Sequence, residues 1–343
     1  MIKTITILIA SVLGGSFFFA SSSAALVNEN SRLAEVMVRL GEPKPSHYLE
    51  TIDPMKAKMG EQMVTLGRTY DKTLPRKSTY ISTIFVCTDC HNQVQEDPSP
   101  ANPTPESRLT YAKEKDLNFL QATTFWGMVN RDTWYNDDYV LKYGDLVAPA
   151  KNSLYEATQL CAQECSSGRK LEEWEAEAIN HYYWSLELKL GDLKLEVGDY
   201  NRIDQAITTE NPEIRRSVVS MLKSKYMTAS PADFVDEPEN KSKGYANTAA
   251  GNPENGKELF DRSCMTCHVY GGPSLFTLDY SKKSFRHLKR NITNDSHFSI
   301  YEIVRHGTVA ELGHRQYMPL YTADRMSHQQ VEDLRAYIEQ EAQ

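Results

Sequence analysis

A chain of 343 residues with 38 Lys and Arg against 46 Asp and Glu carries a net charge of −8, which speaks against nucleic acid as a partner and leaves room for a basic protein. The length suits about two domains, each small for a self-sufficient apolar core, so something beyond side-chain burial is expected to stabilise them. The first element is a secretion signal: Lys3, an apolar run from Ile5 to Ala20, then the small residues Ala20-Ser21-Ser22-Ser23-Ala24-Ala25. Gly14-Gly15 interrupt the run and it is short for a membrane span, so removal of 1–25 is expected, by cleavage after Ala24 or Ala25. No cysteine sits near that site to take a lipid, and no later segment is long and apolar enough to cross a bilayer, so a soluble, exported, periplasmic protein is expected.

All six cysteines follow in close pairs. The first pair stands in Cys87-Thr88-Asp89-Cys90-His91, a C-x-x-C-H string. One helical turn brings two such sulfurs to the two vinyl groups of a haem, and the next residue points an imidazole at the iron. Half a zinc site or a redox dithiol are the competing readings, but no second ligand pair and no βαβ context accompany the string. A polar stretch with Pro98, Pro100, Pro103 and Pro105 follows, read as an irregular loop. Residues 125 to 144 are dense in aromatics, expected to pack on a porphyrin face rather than to form a substrate pocket.

A helix announced by Ser153-Leu154-Tyr155-Glu156 leads to the second pair, Cys161 and Cys165, and a further helix carries Leu171, Trp174, Ala178, Tyr182 and Leu186 at three-to-four spacing. Ile214, Val218, Val219, Leu222 and Tyr226 make one helical stripe, a strap expected to dock on a domain. Residues 228–251 read as a polar, proline-containing linker.

The third pair stands in Cys264-Met265-Thr266-Cys267-His268, a second haem attachment string. Before it come the Asn252-Pro253 cap and Gly256-Lys257-Glu258-Leu259-Phe260, and Gly272-Pro273 follow soon after. A helix then reads Ser299 to Gly307, and a last one opens with a Ser327/Gln330 capping box and carries Val331, Leu334, Tyr337 and Ile338. From Asn252 onward the sequence resembles a class I cytochrome c. The resemblance implies a three-helix haem wrapper with Cys264, Cys267 and His268 at the haem and Met318, in Tyr317-Met318-Pro319, as distal ligand, which raises the reduction potential. His287, His297, His306, His314 and His328 are rivals for that position.

The first region looks like an expanded copy of the same plan, since Ser153-Leu154-Tyr155-Glu156 mirrors Ser299-Ile300-Tyr301-Glu302, and Cys161 falls where Gly307 falls. Its return from Cys161 to the last helix is about half as long, leaving little room for a methionine loop. Cys161 is therefore a candidate thiolate ligand that would lower the potential, with Met128 and then His181 as alternatives if Cys161 and Cys165 form a disulfide. A cysteine at a helix end with a glycine seven residues on, here Cys161 and Gly168, is similar to the diheme cytochromes that oxidise thiosulfate. Those enzymes carry an arginine and a serine shortly after the cysteine, where this chain has Glu164 and Cys165, and Arg169 is left as the candidate anion contact.

The sequence thus predicts an all-α chain of two tandem cytochrome c-like domains, each wrapped around one covalent haem c. The expected order is signal 1–25, enlarged first domain 26–200, strap and linker 201–250, and class I domain 251–343. Cys87, Cys90, His91, Cys264, Cys267 and His268 bind the cofactors, and His91, Cys161, His268 and Met318 bind the irons. The expected activity is electron transfer between redox partner proteins, with no catalytic residue assigned. Oxidation of thiosulfate or another small sulfur anion at the first haem is the alternative, and a diheme peroxidase finds no support in the residues.

Overall fold

A computed structural model of the chain describes residues 25–71, 73–294, 298–310 and 316–343. The secretion signal, apart from Ala25, and the rival ligands His297 and His314 lie outside the described residues. Twelve α-helices and no strand occur among the described residues, with a single isolated bridge between Arg32 and Lys189. The helices are α1 (Leu33–Arg39), α2 (Pro54–Leu66), α3 (Pro105–Lys115), α4 (Asp137–Tyr143), α5 (Leu154–Leu160), α6 (Glu173–Ser185), α7 (Val197–Thr209), α8 (Pro212–Lys223), α9 (Pro253–Leu259), α10 (Lys282–Asn291), α11 (Ile300–His306) and α12 (His328–Glu341).

Two helix crossings organise the molecule, α2 on α6 and α9 on α12. Both begin alike. Asp53 accepts from the Met55 and Lys56 amides ahead of Pro54, and Asn252 accepts from the Glu254 and Asn255 amides ahead of Pro253, so cap and proline start α2 and α9. Both cross over a glycine. A methyl group on Gly60 would lie 2.2 Å from the Ala178 carbonyl oxygen and 2.8 Å from Tyr182 Cβ. One on Gly256 would lie 2.0 Å from the Asp333 oxygen and 2.7 Å from Tyr337 Cβ. Only a residue without Cβ lets the backbones approach that closely. The expected Ser327/Gln330 capping box closes the start of α12.

Each crossing anchors its own core. Met59, Met63, Leu154, Ile179, Tyr183 and Trp184 sit in the first, and Leu259, Phe260, Tyr301, Leu334 and Tyr337 in the second. The strap does more than bridge them. Ile203 and Ala206 of α7 and Val218 and Leu222 of α8 bury against Leu33, Val36 and Leu40 of α1, together with Leu188 and Leu190, as a third cluster. Leu109 and Ala112 of α3, with Phe119, belong to the core of the C-terminal region, so a piece of the first region completes the second. Helix α10 was not foreseen by the three-helix expectation, because Lys-Lys-Ser-Phe-Arg-His-Leu-Lys-Arg-Asn offers only Phe285 and Leu288 to the core.

Candidate functional site

The first C-x-x-C-H string forms a 3-10 turn, Cys87–Asp89, in which the Cys90 and His91 amides both return to the Cys87 carbonyl. It opens into a cleft of about 680 Å³ whose lining includes Cys87, His91, Phe125, Met128, Cys161 and Ile179. His91 Nδ1 donates to the Thr123 carbonyl at 2.6 Å, which leaves Nε2 as the free nitrogen. Phe125 stacks on the imidazole at 4.3 Å. Burial holds the His91 pKa down at about 4, so the ring is neutral and ligand-competent at ordinary pH.

A further part of the lining comes from α5 and the turn that ends it. Ser153 caps that helix by accepting from the Glu156 amide, and the helix ends in one wide π turn, Cys161–Cys165, closed by the Ser166 amide on the Cys161 carbonyl. The wide turn brings the Cys161 and Cys165 thiols into hydrogen-bonding contact, which raises the Cys161 pKa and lowers that of Cys165. Met128 also lines the cleft, and its amide bonds the carbonyl of the stacked Phe125. His181 accepts from the Asp53 amide at 3.0 Å and is thereby occupied at the helix crossing. Arg169 makes a two-pronged pair with Glu175 at 2.6 and 2.7 Å and also donates to the Thr79, Tyr80 and Lys170 carbonyls. Its guanidinium is fully committed, which corrects the expectation that it meets an anion. Arg131 is the cation on the cleft wall, buried and donating to Thr123 Oγ1.

The second string follows another π turn, Phe260–Cys264, and its histidine is held in the same way. His268 Nδ1 donates to the Phe276 carbonyl at 2.6 Å, with Ser274 Oγ at 3.0 Å. Burial pushes the Cys87 and Cys264 thiols up to about 12, the reverse of what a redox-active dithiol needs. Met318 is clipped to the end of α11: its amide donates to Thr308 Oγ1 at 2.8 Å and its carbonyl accepts from the Thr308 amide at 2.9 Å. Gly307, at φ +66°, makes room for that carbonyl, since a Cβ there would lie 2.2 Å from it. His306 Nε2 lies 2.6 Å from a Glu237 carboxylate oxygen, and His328 stacks on Tyr245 at 3.9 Å, so both rivals are occupied elsewhere.

Three contacts tie the two sites together, none of them foreseen. Arg325, just ahead of α12, makes a two-pronged pair with Glu96 at 2.7 and 3.0 Å, and Arg108 of α3 adds a third contact at 3.4 Å, all buried. Burial opposes the Glu96 charge, but Arg325 and Arg108 outweigh it and hold the carboxyl far below its ordinary range. Phe119 bonds the Arg262 carbonyl and Ser263 Oγ beside the second string, while Gln121, two residues on, donates to Cys90 Sγ at 3.1 Å. Tyr317, next to Met318, donates to the Cys165 carbonyl at 2.5 Å and packs edge-on against Phe85. Tyr317 was visible as a neighbour of Met318, but nothing local announces a partner 152 positions away.

A C-x-x-C-H turn inside a crossed-helix wrapper, with its histidine fixed through Nδ1 and a methionine loop at the next helix end, defines a c-type cytochrome domain. Residues 251–338 match the family described as cytochrome C oxidase, cbb3-type, subunit III. The C-terminal segment is accordingly a class I cytochrome c domain that binds haem c covalently and transfers electrons. No curated protein and no solved structure matches the chain. No helix among the described residues is long and apolar enough to cross a membrane.

Proposed function

We propose that the chain is a periplasmic diheme c-type cytochrome that passes single electrons between protein partners. In this reading Cys87, Cys90 and His91 hold one haem, and Cys264, Cys267 and His268 the other. The observation that carries it is the equal treatment of the two histidines, each donating through Nδ1 to a backbone carbonyl at 2.6 Å and keeping Nε2 for iron. The first cleft fits a largely apolar group, being lined by Phe125, Leu154, Ile179 and Tyr183 together with His91 and Cys161. Bound haem supplies the one-electron iron couple, and the protein sets its potential and its access.

Met318 is the distal ligand of the second haem and Cys161 that of the first. Cys161 is taken before Met128 because the short return after α5 leaves the helix end to supply the ligand, and Cys161 lines the same cleft as His91. Thioether and thiolate pull the two potentials apart, one up and one down. The test is a haem count with a potentiometric titration. Two haems per chain and two separated waves are expected; one haem, or the same count after Cys87→Ser, overturns the reading.

A sulfur-anion oxidase is kept as a second reading on one observation, the Arg131 guanidinium on the wall of the first cleft. Reduction of the purified protein by millimolar thiosulfate, lost in Arg131→Gln, would promote it above the carrier.

A further inference from the structure

Helix α10 is at odds with the charge of the chain around it. Its ten residues hold five cations, Lys282, Lys283, Arg286, Lys289 and Arg290, and no acid, in a protein of net charge −8. All five are exposed, and among the described residues none pairs with an Asp or Glu side chain within ion-pair distance; Lys282 reaches an oxygen of the last residue, Gln343, and Arg286 the Ala342 carbonyl. The nearest acid in sequence, Asp279, is held by the Ser281 and Ser284 hydroxyls. Solvated cations on a helix face usually alternate with acids that offset them; here the helix carries no acid, and Asp279 ahead of it offsets Lys283 in part.

The same helix adjoins an apolar surface. Phe285 fixes α10 to the core, and His287 turns its ring to Phe276 at 5.8 Å. Lys283 and Arg290 fall on the His287 side of the helix by spacing. Phe276 is 50% exposed, Leu275 63% and Tyr270 97%, all within nine residues of His268, and the Phe276 carbonyl is the one that holds His268 Nδ1. The other approach to this region is covered. Residues 117–121 of the first region lie against Arg262 and Ser263, and Gln121 reaches Cys90, so the attachment cysteines of the two strings face each other across the interior.

We propose that the surface of Tyr270, Leu275 and Phe276, flanked by Lys283 and Arg290, is where the second haem region docks an acidic one-electron carrier protein. An aromatic centre with a charged rim is the anatomy of a transient protein interface. An anionic membrane surface would meet the same cations, and binding to anionic vesicles is therefore an outcome of the test. The overall charge suggested a basic partner; at this face the local field is reversed, and it orients an acidic protein before contact. The inference rests on the diheme carrier reading.

The test uses the full two-haem protein and, as probe, acidic plastocyanin carrying cadmium in place of copper, so that binding is read without electron exchange. Affinity is expected to fall as salt rises, and Lys283→Glu/Arg290→Glu to weaken it roughly tenfold or more at low ionic strength. Tyr270→Ala should weaken binding while leaving the salt dependence intact. Charge reversal on the strap, Arg202→Glu/Arg216→Glu, should leave affinity nearly unchanged. Equal losses in the two charge-reversed proteins, or salt-independent binding, would overturn the proposal. So would unaltered plastocyanin affinity with lost binding to phosphatidylglycerol vesicles, an outcome that assigns the face to a membrane. Haem content is counted on every variant: fewer than two haems refutes the carrier reading, while two haems with an indifferent face refutes only the docking surface.

Discussion

The two C-x-x-C-H regions share their crossed helices and their way of holding a histidine, and they part company in the chain that follows the next helix. After α11 the chain makes a long return, residues 307–327, and the methionine stands in it, clipped to Thr308 beside a glycine. After α5 the return is short: the helix widens into the Cys161–Cys165 turn and reaches α6 by Glu173. A long return supplies its side chain from a loop, whereas a short one leaves only the helix end. Under the proposed reading, the length of one connection would select a thioether in one place and a thiol in the other, and with them opposite effects on potential.

Removing the attachment sulfurs is the hardest test of that pairing. Cys87→Ser/Cys90→Ser and Cys264→Ser/Cys267→Ser should each lose one haem and leave the other, as read by absorbance per chain. Loss of both from either variant would show that the regions cannot be compared as separate sites. Next comes the buried junction. Glu96→Gln leaves Arg325 and Arg108 without their carboxylate and is expected to cost about 3–5 kcal/mol in denaturant unfolding. Because the folded Glu96 pKa is depressed, its contribution is complete above the unfolded carboxylate pKa and fades as pH falls through the folded one. Acid unfolding should therefore begin at higher pH in a chain lacking Arg325.

Gly60→Ala and Gly256→Ala place a methyl against a carbonyl oxygen in each crossing, at an expected cost of about 1–3 kcal/mol apiece. Unequal thermal shifts would mean the two crossings tolerate separation differently. On the ligand side, Cys161→Ala should raise the lower of the two potentials and Met318→Ala should lower the higher, each leaving its counterpart in place. An unchanged low-spin spectrum of the first haem in Cys161→Ala would remove the thiolate. The smallest effect is assigned to Tyr317→Phe, which deletes one hydrogen bond to Cys165 and should cost about 1 kcal/mol of stability.

Local structure was legible in the sequence wherever its signal lay in adjacent letters. Cys-Thr-Asp-Cys-His, Cys-Met-Thr-Cys-His, Asn-Pro before α9 and the Ser327/Gln330 box are local signals, and the all-α architecture follows from such signals. Helix α2 is the counterpart of α9, yet it was missed because some twenty residues, 67–86, separate it from its string where α9 runs straight into its own. Helix α10 escaped because a helix that buries one aromatic and half a leucine has almost no apolar period to read. Glu96 and Arg108 resemble any surface acid and base until a partner from the far end of the chain covers them. Burial of that kind is a property of the assembled fold, and no window of sequence contains it.

The arm of residues 105–121 has a consequence for how the molecule comes into being. Leu109, Ala112 and Phe119 are core residues of a domain whose own chain begins more than a hundred positions later, and Glu96 waits for Arg325 across 229 positions. The terminal cytochrome is therefore no cassette to be cut out and grafted. Excised at residue 251, it would expose the apolar seat of that arm and carry an unanswered arginine. In the intact chain these contacts have the largest loop to close, so docking of the two halves should be the slow step of folding. A protein trapped before that step would leave the apolar seat of the arm open to water, which should make it the protease-sensitive form of the chain.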